Sequence, residues 1–295
     1  MEFGHTPVML TEVLEALAVK SGGKYIDCTL GGASYTLAIA EKCGVKGRVL
    51  GIDMDRAAVA NAQKIIQEKG IKNIIVSEGN FKNITDIVAA TWGEDTLVDG
   101  IVMDLGLSSF QLSDAKRGFS FKHEASLDMA FGPEAEADTA RIVNTYSLLE
   151  LTRIFREFGE DKRAYMLAKA IVEARRKKSI TTAVELAALV ESKVPVRFRG
   201  RIHPATRIFQ ALRMETNGEL DNLREVLPAA SELLLPGGKL VVVSFHSGED
   251  RIVKHFFKDN EHLKILTKKP LVPTESEEEA NPRARSAKLR AAAKI

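Results

Sequence analysis

Four short apolar runs follow one another through the first part of the chain: Tyr25 to Cys28, Arg48 to Asp53, Ile74 to Val76 and Gly100 to Asp104. Between them lie stretches with helical spacing of apolar residues, one through Leu37 and Ile39, one from Ala57 to Glu68 that stops at Gly70, and one near Ile84 to Ala90. A strand covered by helices on both faces has no solvent side, so its sequence is apolar throughout and does not alternate. Strand and helix in repeated alternation predict an α/β fold with a doubly wound, mainly parallel sheet.

The rhythm breaks after Asp104. The next strand-like run is Lys239 to Phe245, and the interval holds helical signals only. Thr182 and Glu185 have the spacing of a capping box ahead of Leu186, Leu189 and Val190, in which each side chain accepts an N–H that the helix start leaves unpaired. Asp161 to Lys177 reads as a helix with a basic end. These signals predict a helical insertion at 113–212 that divides the sheet domain into 1–112 and 213–295, and 295 residues suit one core domain plus a smaller module. The chain returns to the sheet through a helix from Glu219 to Leu235 and a turn at Pro236-Gly237-Gly238, and Ser247 to Phe257 predicts one more helix. Pro7 with Val8, Leu10, Val13, Leu14 and Leu17 predicts an opening helix that carries the proline in its first turn, and the run Glu275 to Glu279 reads as a solvated loop.

Charge matters here by position. Lys and Arg number 42 against 40 Asp and Glu, a net +2 that argues for no partner by itself. From Arg153 to Arg213, however, 15 basic residues stand against 6 acidic ones, and Asn281 to Ile295 holds five basic residues and no acid. That is the footprint of a polyanion partner or of solvated helix faces. The 2 cysteines, Cys28 and Cys43, are too few for a disulfide framework or a Cys-rich zinc site, and both fall in segments that read as buried. With no apolar run near the ~20 residues of a membrane span and no signal-peptide pattern at the start, a reducing cytoplasm is the expected location and no membrane partner is expected.

In an open parallel sheet, ligands bind beyond the carboxyl ends of the strands. The first run leads from Asp27 into Gly31-Gly32-Ala33-Ser34-Tyr35, where Gly31 lets backbone approach a ligand closely. The second ends in Asp53, placed to accept hydrogen bonds from ribose hydroxyls. A Gly-containing turn plus an acid serves NAD as readily as S-adenosylmethionine, but G-x-G-x-x-G is absent and Asp27 precedes the turn, which favours the latter. Phe81, after the third run, offers an aromatic face to adenine or packs in the core. The fourth run ends in Asp104-Leu105-Gly106-Leu107-Ser108-Ser109-Phe110-Gln111, where a carboxylate and two hydroxyls can hold an amine by its N–H bonds, unless the serines only form turns. His246, after the strand that ends in Ser244, either contacts a nucleotide or caps the helix at Ser247, and Arg251 in that helix is available to phosphate. His203-Pro204 opens another helix, on which Arg207 and Gln210 share a polar face suited to RNA. His203 has no second ligand at metal spacing, so no metal is expected.

Taken together, these strings resemble the bacterial 16S rRNA cytosine-N4 methyltransferases of the RsmH or MraW type. The resemblance runs end to end: His5 to Leu10, Asp104 to Gln111, Arg117 to Phe121, Leu127 to Met129, His203 to Arg213, Ser244 to Ser247, Glu249 to Arg251 and Asn281 to Arg290. It implies a Rossmann-like methyltransferase sheet with an inserted helical domain, S-adenosyl-L-methionine as cofactor, and a decoding-centre cytidine of small-subunit ribosomal RNA, free or in the 30S particle, as substrate. The cofactor positions it implies are Ala33, Ser34, Tyr35, Asp53, Phe81, Asp104 and Gln111, beside the Gly31 turn, and the catalytic candidates are Asp104, Ser108 and Ser109. The chain departs from the family pattern in four places. Ala33-Ser34 stands for Gly-Gly, Ala130-Phe131-Gly132 for Arg-Met-Asp, Gly248 for Leu, and Glu160-Asp161 for Glu-Glu. These bear on cofactor affinity and substrate geometry more than on fold. A chain that only docks on ribosomal particles is the alternative of another class, and an NAD oxidoreductase a third.

Overall fold

The computed structural model describes residues 7–108, 111, 114, 117–133, 135–196 and 203–295. In chain order the elements are α1 (Leu10–Leu17), β1 (Lys24–Asp27), α2 (Ser34–Cys43), β2 (Arg48–Asp53), α3 (Arg56–Glu68), β3 (Ile74–Glu78), α4 (Ile84–Trp92) and β4 (Val98–Asp104). There follow α5 (Thr139–Thr145), α6 (Leu148–Glu157), α7 (Ala164–Arg175), α8 (Ala183–Lys193), α9 (Thr206–Asn217) and α10 (Glu219–Glu232). The chain closes with β5 (Leu234–Ser244), α11 (Ser247–Asp259), β6 (Leu263–Ile265), α12 (Glu275–Ala280) and β7 (Lys288–Lys294). It divides into two compact units, Met1–Phe110 with Leu220–Ile295, and Gln111–Glu219.

The first unit is one seven-stranded sheet in the order β3-β2-β1-β4-β5-β7-β6. Strands β1 to β5 pair in parallel, and β7 lies antiparallel between β5 and β6. Successive residues of a strand face opposite sides, and both sides are covered. Ile26, Leu50, Ile101 and Val242 pack with Leu223 and Val226 of α10 and Val253 of α11. Tyr25, Val49, Val102 and Val241 pack with Val13 and Leu17 of α1 and Ile39 of α2. Each such buried aliphatic side chain contributes roughly 1.5–3 kcal/mol, which is why the strand runs are apolar without alternation. The doubly wound α/β class expected from the sequence is the fold observed.

Several boundaries differ from expectation. Met9 takes the left-handed conformation (φ 51°) and is 1% exposed, so the opening helix starts at Leu10 and Pro7 lies outside it. The acidic run at Glu275 is helical, not a solvated loop: the Thr274 hydroxyl accepts the Glu277 N–H, and carboxylates in a first turn favour a helix. Helix α10 ends at Glu232, and β5 bulges over Pro236-Gly237-Gly238 before pairing resumes at Lys239. Strand β7 has no counterpart in the sequence reading. It buries Ala291, Ala292 and Ala293, and of the basic residues near the carboxyl terminus it commits Arg290 (2.6 Å) and Lys288 (3.5 Å) to Asp250.

The second unit is helical, with one isolated bridge, Ser126 to Thr182, among its described residues. The expected capping box at Thr182 and Glu185 is present, and Ser147 and Glu150 form another on α6. Helix α7 starts at Ala164, later than expected, because the Asp161 carboxylate accepts from the Arg163 N–H (2.8 Å) and guanidinium (2.7 Å) just ahead of it. Asn217 braces the segment before α5, donating to the Met129 carbonyl and accepting from the Phe131 N–H. Phe131, one of the departures, stacks on Phe119 with ring centroids 5.8 Å apart, and the Arg117 guanidinium lies over Phe119 and donates to the Ala130 and Phe131 carbonyls.

Candidate active site

Strand order reverses between β1 and β4, so their connections leave in opposite directions and open a crevice at the carboxyl edge. Asp27, Asp53 and Asp104 close β1, β2 and β4, and parallel pairing puts those ends side by side. Asp27 is fully buried; it accepts from the Thr36 hydroxyl at 2.7 Å and the Thr29 N–H at 3.1 Å. The Thr29 hydroxyl accepts the Asp104 N–H at 2.7 Å, tying the turn after β1 to the end of β4. Asp53 accepts from the Gly31 N–H at 2.8 Å and the Asp55 N–H at 2.9 Å. Gly31 has φ 46°, and a Cβ added there would meet the Ser108 Cβ at 3.5 Å, so the two post-strand loops face each other.

Burial raises all three carboxyls above the ordinary range. Asp53 is pushed up to about 6 despite the two N–H donors that pull it down. Asp104 is raised well above its usual value by burial, then by the charges of Asp27 and Glu249. Among the described residues no Lys or Arg pairs with any of the three. An acid edge without cations suits a ligand that carries positive charge, and a sulfonium with an ammonium group fits it better than a dinucleotide pyrophosphate.

Among the described residues two buried polar atoms at this edge have neither a hydrogen bond nor an ion-pair partner: Asn80 Nδ2 after β3 and Asp104 Oδ1 at the end of β4; His246 Nε2 after β5 meets only the Glu249 carboxylate, at 3.1 Å. Another such atom among the described residues, Trp92 Nε1, is at the far end of α4. Each orphan costs about 1–3 kcal/mol unless a ligand completes it, so the edge fits a bound polar group. Asn80 is the residue the sequence reading passed over. Its Oδ1 accepts the Lys82 N–H at 3.1 Å, and that holds its amide nitrogen inward beside half-buried Phe81.

The other expected residues are placed as follows. Ala33 is the N-cap of α2 with φ 63°, and its methyl is fully buried in a cluster with Leu30, Val59 and Ala62. Its Cβ is therefore turned into the packing, although a left-handed alanine is strained where glycine is not. Ser34 is half-buried in the first turn of α2, and the Tyr35 hydroxyl donates to the Val8 carbonyl. Gln111 is 5% exposed and belongs to the second unit. Ser109 lies outside the described residues. His246 takes the capping role: its Nδ1 accepts the Gly248 and Glu249 N–H groups at the start of α11, and Arg251 on that helix is exposed. In the second unit His203 Nδ1 accepts the Ala205 N–H, and its ring lies 4.7 Å from that of Phe121. Arg207 donates to the Glu160 carbonyl at 2.9 Å and Gln210 to the Phe158 carbonyl at 3.3 Å, so this polar face of α9 also secures the corner after α6.

A doubly wound sheet with an acid-lined carboxyl edge defines a Rossmann-like enzyme for a nucleoside-bearing, cationic cofactor. The chain belongs to the MraW methylase family, whose model matches residues 2–295. Membership makes it a methyltransferase that uses S-adenosylmethionine. Among curated proteins it is 46% identical to the ribosomal RNA small subunit methyltransferase H of Carboxydothermus hydrogenoformans, over 100% of this chain and 99% of that one. It is also 46% identical to the protein of the same name in Deinococcus deserti (99% of this chain, 93% of that one) and 45% identical to that of Thermomicrobium roseum (99% and 94%).

Proposed function

We propose that the chain transfers a methyl group from S-adenosylmethionine to the exocyclic N4 of a decoding-centre cytidine in 16S ribosomal RNA. The observation that carries this reading is the Asp104 carboxyl, one oxygen of which is shut from solvent and has no partner among the described residues, beside the cradle formed by Gly31 and Asp53. Family membership across 2–295 and the names of the relatives support RNA of the small subunit as the substrate.

The cofactor supplies an activated methyl on a sulfonium. Asp53 would accept from its ribose hydroxyls, Asn80 and Phe81 would meet the adenine edge and face, and the turn from Gly31 through Ala33, Ser34 and Tyr35 would bring backbone close to it. The N4 lone pair of cytosine is delocalised into the ring, so the enzyme must hold acceptors against its N–H bonds while it attacks. Asp104 is the first of these acceptors, and Ser108 and Ser109 complete the set. As the N–C bond forms, the amine proton passes to Asp104, whose raised proton affinity suits it to the task.

The helical insertion, 113–212, is the RNA-recognition module, with His203, Arg207 and Gln210 contributing; exposed Arg251 is a phosphate contact, and His246 serves the site by capping α11. Among the described residues no helix is long and apolar enough to cross a membrane, and a cytoplasmic place of action on the 30S particle or its RNA suits the reading. Two assays test it: calorimetry with S-adenosylmethionine, and transfer of labelled methyl to small-subunit RNA. Binding together with selective labelling of that RNA is expected. No binding at millimolar cofactor, or labelling of large-subunit RNA instead, would overturn it.

A further inference from the structure

We propose that Glu249 is a positioning residue for methyl transfer: its buried carboxylate, braced on the turn between β5 and α11, acts on Asp104 to make that carboxyl a stronger proton acceptor. The inference rests on the function proposed above. Glu249 is 2% exposed, rare for a glutamate. One oxygen accepts the Phe245 N–H at 2.8 Å and the His246 N–H at 3.3 Å, and the other lies 3.1 Å from His246 Nε2. Because His246 Nδ1 accepts two backbone N–H groups, the ring proton sits on Nε2 and faces this carboxylate. A glutamine would cap the helix equally well, so capping alone does not explain a buried charge, which costs far more than a buried amide.

The adjacent strand end explains it. Asp104 pairs with Val243 of β5, and the Leu105 N–H donates to the Val243 carbonyl at 2.9 Å, so the turn that carries Glu249 follows directly on the strand beside Asp104. The titratable groups acting around that carboxyl are Asp27 from β1, Tyr35 from α2 and Glu249 from α11, with His246 on the turn. Like charges at close range disfavour ionisation and tighten the hold on a proton. In the reaction the amine lone pair forms the N–C bond, the S–C bond breaks and leaves its electron pair on sulfur, and the N–H proton goes to Asp104. Gly248 packs against the same ring: a Cβ there would lie 3.0 Å from His246 Cε1 and 3.1 Å from Nδ1.

Carbon-13 titration of the Asp104 carboxyl in the cofactor-free protein tests this. Glu249→Gln should move the Asp104 titration to lower pH, whereas His246→Asn, which keeps a cap and the Glu249 charge, should leave it where it was. In methyl transfer to small-subunit RNA, Glu249→Gln should shift the acidic limb of the rate profile to lower pH and cost about tenfold in kcat at neutral pH, with KM for the cofactor unchanged. An Asp104 titration unmoved by Glu249→Gln overturns the proposal. If that variant does not fold, the unaltered protein labelled at both carboxyls decides: an Asp104 curve with a step at the midpoint of the Glu249 titration supports the proposal, and an Asp104 curve with no step there overturns it. Failure of the unaltered protein to methylate RNA would instead overturn the function and leave the carboxyl titration to judge Glu249 separately.

Discussion

Asp53 links pH to cofactor binding in a way that can be signed in advance. Its folded carboxyl titrates at about 6, above the usual 3.8, because burial penalises the charge. In the proposed role Asp53 accepts from ribose hydroxyls in its ionised form, so cofactor binding should release a proton below pH 6. Affinity should then rise by up to about tenfold per pH unit toward 6 and level off above it, as read by calorimetry; Asp53→Asn should bind weakly and without this slope. The unliganded protein should behave in the opposite sense. An acid raised on folding binds its proton more tightly in the native state, so the contribution is present below 3.8 and is lost as pH rises through 6. The melting temperature without cofactor should fall between about pH 4 and 6, and saturating cofactor should cancel the fall. A flat profile in both states would mean that Asp53 is neither buried nor engaged.

At the scale of elements, close backbone approach makes glycine necessary at the corner between α6 and α7. A Cβ on Gly159 would lie 2.7 Å from the Arg207 carbonyl oxygen and 2.8 Å from that of Phe155, and neither can step aside as a flexible side chain would. Gly159→Ala should cost about 2 kcal/mol or more in urea denaturation; a loss under about 0.5 kcal/mol would show that the corner is looser than described. Elements whose sequence carries a period or a cap were legible, such as β1 to β4 and the Thr182 capping box. Those that depend on a distant partner were not. Ala291-Ala292-Ala293 has no strand signature, since alanine is a poor strand former, and it becomes β7 because β5 and β6 pair with it on either side. The acids at the three strand ends could be read from spacing, but the orphaned atoms of Asn80 and Asp104 could not, because a missing partner is a property of packing.

For the whole molecule, charge counted along the chain overstates what RNA can use. Within the basic stretch, Arg153 pairs with Glu215, Arg163 with Asp161, Lys178 with Glu185 and Arg213 with Glu219. Arg176 and Lys177 at the end of α7 are exposed. Replacing both with alanine should weaken RNA binding at every sequence and reduce the slope of log affinity against log salt by roughly 1.5 to 2, in filter-binding assays across a salt series. An unchanged slope would move the phosphate contacts elsewhere. The account as a whole stands on Asp104 receiving a proton from a cytosine amine while methyl arrives. Nucleoside mass spectrometry of small-subunit RNA, incubated with cofactor and either the unaltered protein or Asp104→Asn, tests that most directly. The account predicts N4-methylcytidine with the unaltered protein and its near disappearance with the variant. Methyl on another nucleoside, or undiminished N4-methylcytidine with Asp104→Asn, would contradict it.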